Sequence, residues 1–268
     1  MNGVTHRRPP RDVYNRAREK GRLEVFFNTL LRKDARIPTL ENVLEPYTYE
    51  VEKKPFWVGH IQPGKITGTL NIDRRYCFSR SYYPLPHFDS GDFAQKWARV
   101  MRDTNKWLDY PIDCFEFLHK YYVKEGNKRA SVSRYLDLPG ILVNITRIIP
   151  MNYEREDVRR YHEFLAFERQ TGIGCLWFGY EGAFAELTSL MNKHHLSGED
   201  LITLVFNPYC RITGNYSGPF DEIIDYLFIF PGKHACYKYQ EKAFKQVILA
   251  RRHTRKNGLR QTEHPTGV

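Results

Sequence analysis

One continuous stretch, residues 111–149, constrains the fold of this chain more than any other. Residues 111–123 alternate around a turn at His119-Lys120, which predicts a hairpin of two strands. The sequence Glu-Gly-Asn-Lys-Arg at residues 125–129 then leads into residues 130–136, a run of small and apolar residues that predicts a short helix. The β-branched run at 141–149 predicts another strand. The unit is therefore strand, strand, loop, helix, strand.

The loop at residues 125–129 combines the residue types that hold phosphate groups. Gly126 allows a tight turn and a close approach of the backbone to a ligand. The first N–H groups of the next helix have no intrahelical acceptor and favour an anion. Lys128 and Arg129 add two cations, and Ser131 adds a hydroxyl group. The sequence therefore predicts a phosphate site here, although the pentapeptide taken alone is more typical of a solvated turn.

The rest of the chain predicts an α+β protein. Helical periodicity or capping residues occur in residues 13–33, 92–103, 154–169, 184–194, 197–200, 221–230 and 237–252. Short strands are predicted at residues 47–51, 57–61 and 66–69. We expect four parts: an N-terminal basic arm and helix at 1–46, a core at 47–150, a helical C-terminal part at 151–252 and a basic flexible tail at 253–268.

The order of elements from Trp57 to Pro150 resembles the ParB/sulfiredoxin-like fold. In that family a Gly-x-x-Arg or Gly-x-Arg-Arg box follows a strand, precedes a helix and binds nucleotide phosphates. The resemblance implies that Gly126, Asn127, Lys128, Arg129 and Ser131 hold phosphates and that Thr67 and Thr69 line the other side of the ligand. It also implies a catalytic carboxylate near the box that orients metal or water. Glu125 is the candidate for this role, with Asp113 and Glu116 on the preceding strand as alternatives. The implied ligand is a nucleoside triphosphate, CTP or ATP, with Mg²⁺.

A narrower resemblance is to an uncharacterised bacterial ParB-like module that is often described together with BMP-type substrate-binding proteins. Its residues are Lys65–Thr69, Phe78-Ser79, Pro84-Leu85, Phe93-Ala94, Lys96-Trp97, the Glu-Gly-Asn-Lys-Arg box, Thr146–Pro150, Tyr161, Glu163–Leu165, Trp177-Phe178 and Glu181-Gly182. A transport role is not expected, because no lipoprotein signal is present. Asn127 stands where sulfiredoxins have a cysteine, so sulfiredoxin chemistry is not expected either.

Charge is concentrated at the two ends of the chain. Residues 1–36 hold ten lysines and arginines against four acidic residues, and residues 237–268 hold eight against two. Such basic ends are typical of proteins that bind nucleic acid, and equally of solvated termini. The five cysteines form no close pair, and no apolar run approaches the ~20 residues of a membrane-spanning helix. We therefore expect a cytoplasmic protein without a membrane partner.

Three classes of function remain open from the sequence. The first is a nucleotide-binding protein that hydrolyses or transfers phosphate. The second is a DNA-binding protein or nuclease that applies the loop to backbone phosphates, and the third is a non-catalytic interaction module. The aromatic residues Tyr82, Tyr83, His87 and Phe88 could stack on a base, but packing in the core or at its rim is the role that we expect for them.

Overall fold

The computed structural model describes residues 10–52, 57–86, 90–215, 218–232 and 241–247. The chain divides into two units, Met1–Asn152 and Tyr153–Val268. The helices of the first unit are α1 (Pro10–Leu30), α2 (Leu40–Leu44), α3 (Ile72–Arg75), α4 (Ser90–Arg102), α5 (Thr104–Trp107) and α6 (Asn127–Tyr135), with a 3₁₀ turn at Pro63–Lys65. Its strands are β1 (Tyr49–Val51), β2 (Trp57–Ile61), β3 (Ile66–Thr69), β4 (Ile112–Phe117), β5 (Lys120–Glu125) and β6 (Ile141–Pro150).

The six strands form one mixed sheet, which confirms the predicted α+β class. The strand order is β1-β6-β4-β5-β3, and β2 also pairs with β6. β4 and β5 form the predicted antiparallel hairpin, and β4 runs parallel to β6 with Ile112 opposite Val143. β1 and β2 both lie antiparallel to β6. The hairpin and the return strand β6 therefore occupy the middle of the sheet, and α6 connects β5 to β6.

Alternating burial along β6 supplies the centre of the core. Ile141, Val143 and Ile145 are buried, and the residues between them are partly exposed. This alternation is what a strand with one face against helices requires. The same cluster includes Trp97 of α4 and Tyr14 of α1, whose rings meet edge to face with centroids 5.6 Å apart. The helix predicted as part of an N-terminal arm therefore packs in the core of the first unit.

The C-terminal half of α1 differs from the prediction. The helical spacing of the apolar residues in 13–33 predicted one or two amphipathic helices, and residues such as Ala17 are buried as expected. However, Leu23, Phe26, Phe27 and Leu30 are all more than half exposed. Successive residues of an α-helix are rotated by 100° about its axis. At this rotation the four exposed residues lie on the face opposite Ala17 and Gly21. The apolar residues of α1 therefore have helical spacing but lie on two different faces, one buried and one exposed.

In the described residues of the second unit the regular elements are all helical. They are α7 (Glu156–Thr171), α8 (Ala183–Lys193), α9 (Gly198–Asp200), a π-helical turn (Leu201–Phe206), α10 (Asn207–Thr213), α11 (Asp221–Phe228) and a helical segment at 241–247. Ser197 and Asp200 form a capping box at α9, in line with the predicted cap. Tyr226 stacks on Phe244 with ring centroids 3.4 Å apart.

Some predictions fall on residues outside the described ranges. They are the first nine residues of the chain, the basic tail at 253–268, the stacking candidates His87 and Phe88, and the parts of the predicted 237–252 helix on either side of 241–247. Among the helices that the structure describes, none has both the length and the apolar character needed to cross a membrane.

Candidate functional site

Gly126 occupies a backbone conformation and a space that require glycine. Its φ and ψ are +102° and 21°, in the left-handed region, and it is the N-cap of α6. A Cβ atom at this position would lie 2.4 Å from Cγ2 of Ile112, the first residue of β4. The left-handed turn ends β5 and starts α6 at Asn127, three residues earlier than predicted. The first N–H groups of α6, at residues 127–129, therefore lack intrahelical acceptors.

A cleft of about 600 Å³ opens at this turn. Side chains from α3, α4, α5, the segment before β4, and the β5–α6 turn surround it. The lining residues are Arg74, Phe78, Phe93, Lys96, Arg99, Val100, Asp103, Lys106, Trp107, Tyr110, Glu125, Gly126, Asn127, Lys128 and Arg129. All five residues of the predicted loop are thus brought to one cleft.

The charge of the cleft is strongly positive. Six of the lining residues are lysine or arginine, and two, Asp103 and Glu125, are acidic. Asp103 forms ion pairs with Lys106 and with Arg102, and the hydrogen bond from Arg102 lowers the pKa of Asp103. In contrast, Arg74, Arg99 and Lys128 form no ion pair with any residue that the structure describes. Three cations are therefore left available to an anionic ligand.

Lys128 lies at the start of α6, where an aromatic ring favours its charge and neighbouring cations oppose it. Its Nζ lies 4.8 Å from the centroid of the Phe93 ring, a cation–π distance. Partial burial lowers the pKa of Lys128, and the positive charges of Arg74 and Lys96 lower it further. The negative charge of a bound phosphate would raise the pKa of Lys128 again, because it stabilises the protonated amine.

Arg129 connects the loop to the segment before β4. Its Nη1 donates hydrogen bonds to the carbonyl oxygens of Tyr110 at 2.9 Å and Pro111 at 3.2 Å. Burial lowers the pKa of Arg129, whereas the charges of Glu125 and Asp113 raise it. A guanidinium has five N–H donors, so the remaining ones can still serve a ligand. Arg129 therefore has a positioning role in addition to its charge.

Asn127 is positioned by a buried tyrosine. The Tyr82 hydroxyl oxygen lies 2.8 Å from the carbonyl oxygen of Gly68 and 2.9 Å from Asn127 Oδ1. Tyr82 is fully buried, and burial raises its pKa well above the ordinary value. Of the two roles considered for Tyr82, packing in the core is therefore confirmed and stacking on a base is excluded, since its buried ring links β3 to the loop.

Three other predicted site residues do not line the cleft. Ser131 is fully buried, and its hydroxyl accepts a 2.9 Å hydrogen bond from Trp97 Nε1. Thr69 is also buried and donates to the carbonyl oxygen of Val123, while Thr67 donates to that of Lys65. Ser131 is one turn into α6, where its side chain points back into the core. Glu125, by contrast, lies exposed at the rim of the cleft.

The contribution of α4 and α5 to the cleft was not predicted from the sequence. Lys96, Arg99 and Asp103 are spaced three and four residues apart, so they share one face of the region around α4. This spacing is visible in the sequence. What the sequence did not show is that Trp97 packs against α6 and thereby turns this charged face towards the loop.

Few side chains of this cleft can coordinate a magnesium ion. Among the described residues no group of three or more histidine, cysteine, aspartate or glutamate side chains is arranged to hold a metal. Glu125 and Asp103 are the two carboxylates that line the cleft. The donor set fits an ion that enters with the phosphates of a nucleotide, since Mg²⁺ commonly takes one or two carboxylates together with phosphate oxygens and water.

Comparison with known proteins finds no matching family model, no matching curated protein and no matching solved structure. The resemblance to ParB/sulfiredoxin-like proteins therefore stays a prediction, and the site is interpreted from its own geometry.

Proposed function

We propose that this cleft binds a nucleoside triphosphate or diphosphate with its phosphates at the start of α6. The observation that supports the proposal most strongly is the excess of cations around the N-terminus of α6, six against two carboxylates. The N-cap residue is Gly126, which has no side chain to bond the first N–H groups of the helix. Oriented N–H groups and cations together are the usual means of holding phosphate oxygens in proteins.

The size and the apolar side of the cleft favour a nucleotide over a bare phosphate. Its volume of about 600 Å³ lies within the range of small-molecule sites. Val100 and Tyr110 contribute accessible apolar surface to the same cleft. A ligand with a charged end and a flat apolar end would therefore match both sides.

The individual roles follow from the placement of each side chain. Lys128 and the N–H groups of residues 127–129 would contact the terminal phosphates. Arg99 and Lys106 would neutralise charge from the α4–α5 side. Magnesium, when bound, would neutralise part of the phosphate charge, with Glu125 and Asp103 as the carboxylates available to hold it.

Turnover is the second element of the proposal. Glu125 is exposed at the rim of the cleft, next to the phosphate-binding turn, and is proposed to orient a water molecule or an acceptor hydroxyl. Phosphoryl transfer depends mainly on positioning and charge neutralisation, which the cations provide. Glu125→Gln should abolish release of phosphate while nucleotide binding persists. Equal turnover in both proteins would overturn the assignment of Glu125.

Binding to nucleic acid is the second candidate function. The observation in its favour is the basic excess of residues 1–36 and 237–268. The loop at residues 125–129 would then contact the backbone phosphates of the nucleic acid. Binding of duplex DNA that weakens steeply with salt, and that is reduced both by Lys128→Ala and by removal of residues 237–268, would support this candidate. Binding that persists after Lys128→Ala would place the DNA on the basic ends alone.

Thermal unfolding with ATP, GTP, CTP, UTP and their diphosphates in the presence of Mg²⁺ tests nucleotide binding directly. A ligand at about 100 times its Kd stabilises the fold by ~2.7 kcal/mol. Lys128→Ala and Arg99→Ala should reduce this shift strongly. Lys120→Ala is the matched control, because Lys120 is exposed on β5 and does not line the cleft. No shift with any nucleotide would overturn the proposal.

A further inference from the structure

Tyr110 is the aromatic side chain of the cleft whose ring is open to solvent. It is 66% exposed, whereas Phe78, Phe93 and Trp107 are all buried. Phe78 and Phe93 meet edge to face in the core, and the face of Phe93 is approached by Lys128. The Trp107 indole nitrogen donates to the carbonyl oxygen of Val100. Of the four aromatic residues that line the cleft, Tyr110 therefore has the ring surface available to a ligand.

The backbone of Tyr110 is fixed although its ring is exposed. Its N–H donates a 3.0 Å hydrogen bond to the carbonyl oxygen of Trp107. Its own carbonyl oxygen accepts the 2.9 Å hydrogen bond from Arg129 Nη1. The residue is thus tied on one side to α5 and on the other to the phosphate-binding loop. A ring presented from a fixed backbone loses little conformational entropy when a planar group stacks on it.

We infer that Tyr110 is the stacking platform for the base of the nucleotide, and this inference rests on the proposed function of the cleft. Arg129 contacts the backbone of Tyr110 and belongs to the loop that faces the phosphates, so the two ends of one ligand would meet adjoining residues. Stacking depends on the π-face that every base has. The site should therefore accept all four bases and bind purines somewhat more tightly, because they offer the larger face.

Titration calorimetry with ATP, CTP and inorganic tripolyphosphate separates the base from the phosphates. Wild type should bind both nucleotides more tightly than tripolyphosphate. Tyr110→Ala should weaken ATP binding by about tenfold or more, the usual cost of losing one base–aromatic stack. Its affinity for tripolyphosphate should not change, and Tyr110→Phe should bind ATP as wild type does. The melting temperatures of both variants without ligand establish that they are folded.

The outcomes distinguish the two proposals. If ATP and tripolyphosphate bind wild type equally well, or Tyr110→Ala weakens both alike, the stacking role is overturned and the phosphate site stands. If neither ligand binds wild type, the proposed function and this inference fail together. If Tyr110→Ala loses binding of single-stranded oligonucleotide but not of ATP, the base that stacks belongs to a nucleic acid, and the inference for a free nucleotide is overturned.

Discussion

The indole N–H of Trp97 donates a 2.9 Å hydrogen bond to the hydroxyl of Ser131, and both side chains are fully buried. This bond joins α4 to α6 in the core of the first unit. Because Lys96 and Arg99 lie on α4 and Lys128 lies on α6, it also sets how the cations of the two helices converge on the cleft. Ser131 thus acts on the site through the position of α4.

Removing either partner of this bond should destabilise the fold. Ser131→Ala leaves a buried indole N–H without an acceptor, which costs about 1–3 kcal/mol. The double variant Trp97→Phe/Ser131→Ala should lose less unfolding free energy than the two single variants lose together, because both changes remove the same hydrogen bond. Urea unfolding of the four proteins measures the coupling. If Ser131→Ala instead leaves stability unchanged and removes affinity for tripolyphosphate, Ser131 is a phosphate ligand, as the sequence predicted.

Gly126→Ala should be more damaging than an ordinary glycine replacement. The alanine would be held in the left-handed region, which is strained for a residue with a side chain. Its Cβ would also lie 2.4 Å from Cγ2 of Ile112. We expect a loss of about 2–4 kcal/mol in the free energy of unfolding. Gly172→Ala is the control, because Gly172 has φ +72° and no neighbouring heavy atom lies within 4 Å of the position that its Cβ would occupy. It should cost about 1–2 kcal/mol; equal losses at both glycines would contradict the proposed clash.

Affinity for phosphate should fall at alkaline pH, because Lys128 loses its proton there. Its pKa is lowered by burial and by Arg74 and Lys96. A phosphate binds the protonated amine, so affinity is full below this lowered pKa and falls as the pH rises through it. Lys128→Arg remains cationic far above that range and should keep its affinity. The Kd of tripolyphosphate, measured from about pH 7 to about pH 10, checks this; parallel declines in the two proteins would exclude Lys128 as the titrating group.

His119 should make the fold sensitive to acid. Burial, with the charges of Lys65 and Arg147, lowers the pKa of His119 to about 3. The unfolded chain takes up the proton near pH 6.5, so stability is lost as the pH falls from about 6.5 towards about 3, by about 2–4 kcal/mol. His119→Asn has no such proton, and asparagine tolerates the positive φ of +61°.

Urea unfolding at about pH 7.5 and about pH 4.5 tests the role of His119. The difference between wild type and His119→Asn should shift in favour of the variant at the lower pH. The carboxylates titrate in both proteins, so their contribution cancels in this comparison. An unchanged difference at the two pH values would show that His119 is not the acid-sensitive group.

Local sequence was enough to predict the hairpin, the loop and the strand β6. Alternation, the glycine of the turn and the β-branched run are short-range signals, and β4, β5, α6 and β6 form in the predicted order, with α6 starting three residues early. The loop residues 125–129 were likewise found from their chemistry and do line one cleft. Burial of Thr69 and Ser131 was not predictable, because a hydroxyl on a strand or helix does not reveal which face will be covered.

The sequence by itself therefore determined the elements of the core and the cationic turn at Gly126. Only the tertiary structure decided which other side chains reach that turn. Arg99 and Tyr110 lie 30 and 19 residues before Arg129 in the chain, and they meet the loop because Trp97 packs α4 on α6 and Arg129 binds the carbonyl of Tyr110. Such long-range contacts depend on how buried faces fit together, which local periodicity does not encode.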